Sequence, residues 1–274
     1  MLVQDHVGPV TIFTMGRGIF GGFVFPVYSY LIDELLIDTG APVAQKEFKR
    51  ALEKLPVSVV VNTHSHEDHI GNNAMVARLK GAQILVHPSG LPILSNPKLL
   101  HLRFYQRFAW GTPAPSAGNP VPPEIQTGTH QFTVIETPGH SPDHICLYEP
   151  TEGWLFSGDL HIAELTLVYQ PFDDFHQILD SLKKLLPLDI HEIFDAHKGH
   201  ISDGMDALNA KIQFMETTKV KVTDLFDKGM SPKEITFKVL GKEEIFAKIT
   251  RGHMSKLNGV KSILRLDKPE AEKS

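Results

Sequence analysis

Short apolar runs alternate with segments of helical spacing over the first third of the chain. Apolar residues recur every three or four positions in residues 42–55 and 72–80, which predicts two helices. Strands are predicted where β-branched and aromatic residues concentrate between turn residues, at 11–15, 27–31, 34–37, 57–61 and 83–86. Strands and helices that alternate in this way are typical of a layered α/β domain.

The rest of the chain adds further strands and then becomes helical. Apolar runs predict strands at residues 132–135, 144–148, 154–156 and 190–194. From residue 205 the apolar positions follow a helical stripe that ends at Gly229. The sequence from Ser231 to Glu234 is a capping box with proline at the first helical position. We predict two or three more short helices up to residue 264 and a frayed end at residues 267–274.

Two stretches interrupt this alternation. Residues 16–22 hold four glycines outside any strand-to-helix context, which predicts a flexible loop near the mouth of a site. Residues 88–125 contain eight prolines and an aromatic, basic insert at 103–110. A loop of this length is usually a lid, in which Arg103 or Arg107 would meet an anionic substrate group. The equally weighted alternative is a short helix that packs its aromatic side chains on the core.

Composition limits the classes of protein that the chain can represent. Its 274 residues are 42% hydrophobic, enough for one large domain or for one large and one small domain. No apolar run approaches the roughly 18 residues of a membrane span, and the N-terminal residues lack the pattern of an export signal. Cys146 is the only cysteine, so an internal disulfide is excluded. We therefore expect a cytoplasmic protein with no membrane partner.

The formal charge of −5 hides an asymmetry. Residues 1–204 carry 13 Lys and Arg against 22 Asp and Glu, a balance of −9, whereas residues 205–274 carry 14 against 10, a balance of +4. We therefore divide the chain into a main domain at residues 1–204 and a small helical C-terminal extension at residues 205–274. The positive extension could hold phosphates, although Lys-rich helices are more often solvated surfaces.

Potential metal ligands concentrate in residues 63–71, between a predicted strand and a predicted helix. In an extended turn, the side chains of His64 and His66 can project to one side. Asp68 and His69, at the opening of the helix, can then face a second point nearby. Imidazole and carboxylate together suit zinc, with iron and manganese as the alternatives. We predict a metal site here, because four such residues within six positions are unusual for an ordinary polar loop.

The pattern His64-x-His66-x-Asp68-His69-x-Gly71 resembles the signature of the metallo-β-lactamase superfamily. The family's third-ligand motif, bridging aspartate and last metal histidine have counterparts in the same order: Pro138-Gly139-His140-Ser141-Pro142, Ser157-Gly158-Asp159 and Asp195-Ala196-His197. The resemblance covers about residues 10–201. It implies an α/β fold with four αββα layers, in which two β-sheets lie between helices.

The resemblance also implies a binuclear metal centre. The implied ligands are His64, His66 and His140 for one ion, Asp68, His69 and His197 for the other, and Asp159 as the bridge between them. Asp38, in the turn after the predicted strand 34–37, would support the metal loop, and a plain turn is the alternative. Three further histidines are expected to support the ligands or to lie on the surface: His144, His161 and His200. His200 competes with His197 for the last ligand position.

These residues imply a metal-dependent hydrolase of the superfamily, which acts on a small molecule. A metal-bound hydroxide would attack an ester, thioester or lactone bond, with Asp68 as the catalytic acid–base residue. Two divalent ions, preferably zinc, against two carboxylates and one hydroxide leave a positive site that polarises a carbonyl oxygen. No cysteine stands at a ligand motif, which argues against β-lactamases with a thiolate ligand. His66 argues against the diiron oxygen-reducing branch.

Three other functions remain open at this point. A nuclease that cuts RNA would use the basic extension to hold phosphates, so nucleic acid stays a less favoured partner. A mononuclear iron dioxygenase that acts on persulfides shares the histidine signature. A metal-binding regulatory protein would keep the site with little turnover.

Overall fold

Two sheets form the centre of the molecule. The computed structural model describes residues 1–19, 21–163, 165 and 167–266, so the predicted frayed end at 267–274 lies outside the described residues. In spatial order the first sheet consists of β1 (Leu2–Val7), β2 (Val10–Ile19), β3 (Gly22–Ile32), β4 (Leu35–Ile37), β5 (Val59–Val61), β6 (Gln83–Val86) and β7 (Asn119–Pro120). Strands β1 to β4 are antiparallel, and β4 to β7 are parallel.

The second sheet is mostly antiparallel. In spatial order it consists of β13 (Gly199–Ile201), β12 (Glu192–Asp195), β11 (Trp154–Gly158), β10 (Ile145–Glu149), β9 (Gln131–Glu136) and β8 (Glu124–Gln126). Only β11 and β12 pair in parallel. The connection between these two strands carries helix α5 (Phe175–Lys184), as a parallel crossover requires.

The other helices lie outside the two sheets. Their bounds are α1 (Gln45–Leu52), α2 (Asn73–Lys80), α3 (Leu91–Ser95), α4 (Phe104–Ala109), α6 (Gly204–Asp227), α7 (Pro232–Leu240), α8 (Ile245–Ile249) and α9 (Lys256–Ile263). Among the described residues, no helix is both long enough and apolar enough to cross a membrane.

The two sheets and the helices outside them form four layers, and the alternating side chains of each strand pack against both neighbouring layers. In β3, Tyr30 and Ile32 enter a core between the two sheets, whereas Leu31 enters a second core beneath α1 and α2. In β11, Phe156 faces the core between the sheets, and Leu155 faces a third core with α5 and α6. Because successive residues of a strand point to opposite faces, both sheets are covered on both sides. The predicted four-layer αββα fold is confirmed.

The C-terminal helices cover the outer face of the second sheet. Leu208, Met215 and Val260 share one apolar core with Leu155 of β11 and Ile193 of β12. Helix α7 begins as predicted, with the Ser231 hydroxyl accepting from the Glu234 backbone N–H and Glu234 accepting from the Ser231 backbone N–H. The boundary at residues 204 and 205 coincides with the start of α6, while the division into two domains stays a prediction.

Two predictions about irregular segments need correction. Residues 16–19 and 22 are not a flexible loop, because β2 continues through Ile19 and β3 begins at Gly22. The ladder between these strands pairs Gly18 with Phe23 and Ile19 with Gly22, so backbone hydrogen bonds outweigh the low strand propensity of glycine. Residues 88–125 contain α3, α4 and β7, so the alternative of one long loop is wrong, while the alternative of a short helix is present as α4. Strand β1 and helix α5 were not predicted.

Gly71 lets two loops at the edge of the first sheet touch each other. A Cβ atom at Gly71 would lie 2.3 Å from the Gly40 carbonyl oxygen, 2.3 Å from Pro42 Cδ and 2.8 Å from the Glu67 carbonyl oxygen. All three are backbone or ring atoms, so they cannot turn aside as a flexible side chain could. The turn after β4 and the loop after β5 can therefore pack this closely only around a glycine.

Replacing Gly71 by alanine should destabilise the protein by about 1–3 kcal/mol, the range expected for overpacking. Gly22→Ala is the matched control, because the nearest atom to its new Cβ would be the Ile19 carbonyl oxygen at 3.8 Å. Urea unfolding monitored by circular dichroism measures both variants. Equal midpoints for Gly71→Ala and Gly22→Ala would contradict the packing argument.

Candidate metal centre

Short loops at the ends of strands bring all seven predicted ligands together. Strands β5, β9, β11 and β12 are followed by His64, His140, Asp159 and His197, respectively. The loop between β5 and α2 supplies the remaining three, His66, Asp68 and His69. All seven side chains are buried or half-buried. The fold therefore collects ligands that are up to 133 residues apart in sequence at one edge of the two sheets.

Three imidazoles form a first group of donor atoms. His66 Nδ1 lies 3.0 Å from His64 Nε2 and 3.0 Å from His140 Nε2. The three nitrogens all lie within 4.8 Å of one another. This spacing lets three donors face a single ion.

A carboxylate and two imidazoles form a second group, with donor atoms that also lie within 4.8 Å of one another. Asp68 Oδ1 is 3.8 Å from His69 Nε2, and Asp68 Oδ2 is 3.6 Å from His197 Nε2. Asp159 lies between the two groups: its Oδ1 is 3.2 Å from His69 Nε2, and its Oδ2 is 3.3 Å from both His140 Nε2 and His197 Nε2. The Asp159 carboxylate is therefore adjacent to members of both groups.

A buried carboxylate holds the far side of His69. Asp38 follows β4 at a φ of 58°, and its oxygens lie 2.8 Å from His69 Nδ1, from Thr63 Oγ1 and from the Thr63 backbone nitrogen. With the His69 proton on Nδ1, its Nε2 lone pair faces Asp159. These contacts agree with the interpretation of Asp38 as a support of the metal loop, and a plain turn does not account for them.

His140 and His197 are also held from behind. His140 Nδ1 lies 3.2 Å from Asp173 Oδ1, and His197 Nδ1 lies 3.0 Å from the Pro26 carbonyl oxygen. The backbone N–H of His197 donates to Asp195 Oδ1, which shapes the turn after β12. Sequence reasoning missed Asp173, because it lies 33 residues beyond His140 in an irregular segment with no motif.

The three further histidines occupy different surroundings. His144 Nε2 accepts a hydrogen bond from the Asp159 backbone N–H, so this ring positions Asp159. Burial, followed by the nearby His140, lowers the pKa of His144 to about 3, which keeps that nitrogen an acceptor. His161 lines the cavity described below and contacts a helix α6 carbonyl. His200 pairs with Glu192 outside the cluster, so the structure brings His197 and not His200 to the other ligands.

Burial and neighbouring charges set the protonation of the cluster. Burial lowers the pKa of His64 and of His66, and adjacent histidines lower each further, which leaves both rings neutral. Burial alone would raise the pKa of Asp159, but His197 and His69 outweigh it and hold that pKa well below its usual range. Burial opposes charge on His197 as well, yet Asp159 raises its pKa to about 10. The cluster thus favours positive charge beside Asp159.

These residues fit divalent metal ions. His69 Nε2 and Asp159 Oδ1 are buried and lack a hydrogen-bond partner among the described residues. Buried polar atoms are rarely left unsatisfied, and a cation between them would satisfy both. Neutral imidazole nitrogens and carboxylate oxygens are ligands that zinc accepts. The His and Asp cluster can therefore hold metal.

A cavity of about 310 Å³ opens onto this cluster. The cluster contributes His66, Asp68, His140, Asp159 and His197 to its wall. Much of the remaining wall is apolar and includes Phe25, Trp110, Leu160, Ile162, Val168, Phe246 and Met254. Lys211 of α6 is the only Lys or Arg among the described residues that line the cavity. The space beside the cluster therefore suits an uncharged organic group better than a polyanion.

Helix α4 combines the two alternatives weighed for residues 88–125. Tyr105 and Trp110 line the cavity and also belong to the core beneath the first sheet. The Trp110 indole N–H donates to the Phe25 carbonyl oxygen at 3.0 Å, and the Tyr105 hydroxyl lies 2.8 Å from His253 Nδ1. Four other side chains of this segment are exposed and do not line the cavity: Phe104, Phe108, Arg103 and Arg107. Neither arginine lines the cavity, and the contact of Arg103 or Arg107 with a substrate anion stays a prediction.

Comparison with known proteins identifies the family. Residues 22–197 match the family model of the Metallo-beta-lactamase superfamily, and the matched range includes all seven predicted ligands. The chain therefore belongs to this superfamily, as its motifs predicted. A metallo-beta-lactamase family protein from Thermus thermophilus has the same fold, with a TM-score of 0.68, 18% sequence identity and 93% of each chain covered.

Curated relatives match over only part of their length. The chain is 26% identical over 186 residues to the Beta-lactamase-like protein 2 homolog of Drosophila melanogaster, which covers 64% of this chain and 56% of the relative. It is 29% identical over 153 residues to a hydroxyacylglutathione hydrolase of Bdellovibrio bacteriovorus, which covers 55% of this chain and 53% of the relative. The chain thus spans little more than half the length of these relatives.

Asp38→Asn should weaken zinc binding by about 10–100-fold, the usual effect of removing a partner that orients a metal-binding histidine. The amide places a donor against Thr63 or His69, so stability should also fall by about 1–3 kcal/mol. Competition with a chelating dye measures the zinc affinity.

Asp33→Asn is the matched control for this change. Asp33 precedes β4 at a similar φ of 52°, and it accepts hydrogen bonds from Thr127 and Thr129, which do not belong to the cluster. The Asp33→Asn substitution should therefore lower the stability of the protein without changing its affinity for zinc. Equal zinc affinities in the two variants would show that Asp38 does not orient His69.

Proposed function

We propose that this protein is a metal-dependent hydrolase that cleaves an ester, thioester or lactone bond of a small molecule. The observation that supports the proposal most strongly is the cavity, in which Asp68 and the imidazole cluster face a wall that is largely apolar. An acyl group fits such a wall, while its carbonyl carbon would lie at the cluster. The similarity to a hydroxyacylglutathione hydrolase points to the same class of reaction.

We propose two divalent ions, preferably zinc, as the cofactors. His64, His66 and His140 would hold one ion, Asp68, His69 and His197 would hold the other, and Asp159 would bridge them. When bound, such ions polarise a carbonyl oxygen and lower the pKa of a water molecule to near 7. The distances around Asp159 support the bridge, because its carboxylate lies 3.3 Å from His140 of the first group and 3.2 and 3.3 Å from His69 and His197 of the second.

The residues of the chain would divide the remaining work. Asp68 lines the cavity and would accept the proton of the attacking water, then pass it to the leaving group. Asp38 and Asp173 orient His69 and His140 from behind, so the donor atoms need little rearrangement. Tyr105 and Trp110 exclude water from the acyl group by closing one side of the cavity.

The alternatives predict different chemistry at the same cluster. A nuclease would need cationic side chains beside the cavity, and Lys211 is the only Lys or Arg that the described wall provides. An iron dioxygenase would contain one iron and consume oxygen. A panel of thioester, ester, lactone, β-lactam, phosphodiester and RNA substrates, with metal analysis of the same preparation, separates these functions.

A cytoplasmic location of the protein stays a prediction.

Removing and restoring the metal tests the proposed class directly. Protein treated with a chelator should lose hydrolysis of activated thioesters and esters and should regain it when zinc is added. The rate should be followed together with metal content by elemental analysis. Turnover of RNA alone, or oxygen consumption with bound iron, would replace this proposal with one of its alternatives.

Asp68→Asn should separate the two metal positions. The change keeps the shape of the side chain but removes the only unshared carboxylate of the second group, so about one metal per chain should remain. Turnover should fall by roughly 10²–10⁴, because acid–base help and one ion are lost together. The measurements are elemental analysis and steady-state kinetics on the same preparation.

Glu67→Gln is the control for that variant, since Glu67 is the adjacent buried carboxylate and its Oε1 accepts from Gln106 Nε2 at 2.8 Å. An amide oxygen can accept the same hydrogen bond, so this variant should keep both metals. Two tightly held metals and undiminished turnover in Asp68→Asn would overturn the role assigned to Asp68.

A further inference from the structure

A second cavity lies behind one wall of the first. It measures about 280 Å³ and is bordered by helix α8 and its flanking residues. Four side chains line both cavities: Phe25, Val168, Phe246 and Met254. The partition between the two spaces is therefore built from apolar side chains.

Phe246 belongs to this partition but, unlike Phe25 and Met254, it is not packed against the core beneath the first sheet. Its ring contacts the Phe25 ring at a centroid distance of 4.3 Å, and Phe25 in turn contacts Trp110 at 5.8 Å. Phe246 is half-buried, and no residue of α8 is fully buried. Truncating this side chain would open the partition without deleting a core residue.

The second cavity also suits an apolar occupant. Two acidic residues border it, but both are exposed. The Glu243 carboxylate accepts hydrogen bonds from the backbone nitrogens of Lys256 and Leu257 at the start of α9, at 3.0 and 2.8 Å. Glu244 lies 3.5 Å from Lys256 Nζ. These carboxylates therefore already have partners at the protein surface, and the partition side of the cavity remains apolar.

We propose that Phe246 sets the maximum length of the acyl chain that a substrate can carry. This proposal rests on the proposed hydrolase function. A straight apolar chain whose carbonyl lies at the metal cluster extends along the first cavity and stops at the Phe246 ring. The second cavity is the continuation of the same path beyond that stop. The substrates are therefore esters or thioesters of short and medium apolar acids, and the C-terminal helices determine where the series ends.

The test uses thioesters of straight-chain acids from acetyl to dodecanoyl with the zinc-loaded protein. In the wild type, kcat/KM should rise with chain length and then fall. In Phe246→Ala the maximum should move to longer chains, and kcat/KM for the first rejected chain should increase roughly tenfold or more, the scale of methylene discrimination in apolar pockets. Phe237→Ala is the matched control, because Phe237 is exposed on α7 and should leave the profile unchanged.

A binding measurement tests the cavity without turnover. Dodecanoate titrated calorimetrically into zinc-loaded protein should bind Phe246→Ala at least tenfold more tightly than the wild type. Adding Ala247→Leu to Phe246→Ala should restore the wild-type limit, because Ala247 lines the second cavity and a larger side chain there refills it. Thermal unfolding of each variant confirms that the fold is retained.

The outcomes distinguish this inference from the function on which it rests. If the wild type hydrolyses acyl thioesters but Phe246→Ala keeps the same chain-length profile and dodecanoate affinity, the inference is wrong and the hydrolase stands. If the zinc-loaded wild type hydrolyses no acyl substrate, the proposed function is wrong. Tighter dodecanoate binding in Phe246→Ala would then still support the division of the cavity.

Discussion

Five histidines and two aspartates are crowded within a few ångströms of one another and are largely shielded from water. Removing charged and polar groups from water is unfavourable unless each finds a partner, so the surroundings of the cluster must supply one. Asp38 lies behind His69, Asp173 behind His140 and the Pro26 carbonyl behind His197. The ring nitrogens that face inward are thereby oriented in advance, and Gly71 lets the two loops concerned pack against each other.

The seven predicted metal ligands could be identified from the sequence, because the spacing within one loop and the order of the later motifs along the chain both match the family pattern. His64, His66, Asp68 and His69 stand in one short loop, and the later motifs follow in the order known for the family. The alternation of strands and helices predicted a layered α/β domain, whereas the arrangement of two sheets between helices came from the family resemblance, and the structure shows both faces of each sheet buried. Hairpin pairing around the glycines of β2 and β3 could not be predicted, because it depends on a partner strand and not on residue propensity.

Residues that support the cluster from a distance were beyond the reach of local patterns. Asp173 meets His140 only because the segment before α5 packs beside the loop after β9. The double role of α4 had the same origin. The sequence showed that residues 103–110 are rich in aromatic residues, but not that Tyr105 would contact His253. It also did not show that Phe246 of α8 would contact Phe25. Contacts of this kind link the C-terminal helices to the cavity. The C-terminal extension therefore contributes no predicted metal ligand but still shapes the cavity beside those ligands.

The central claim is that the seven side chains form one binuclear metal centre. Anomalous X-ray diffraction from crystals of zinc-loaded protein, recorded on both sides of the zinc absorption edge, tests it most directly. The account predicts two zinc peaks. One should lie among His64, His66 and His140, the other among Asp68, His69 and His197, with Asp159 in contact with both. A single peak, or zinc bound elsewhere on the protein with none in this cluster, would contradict it.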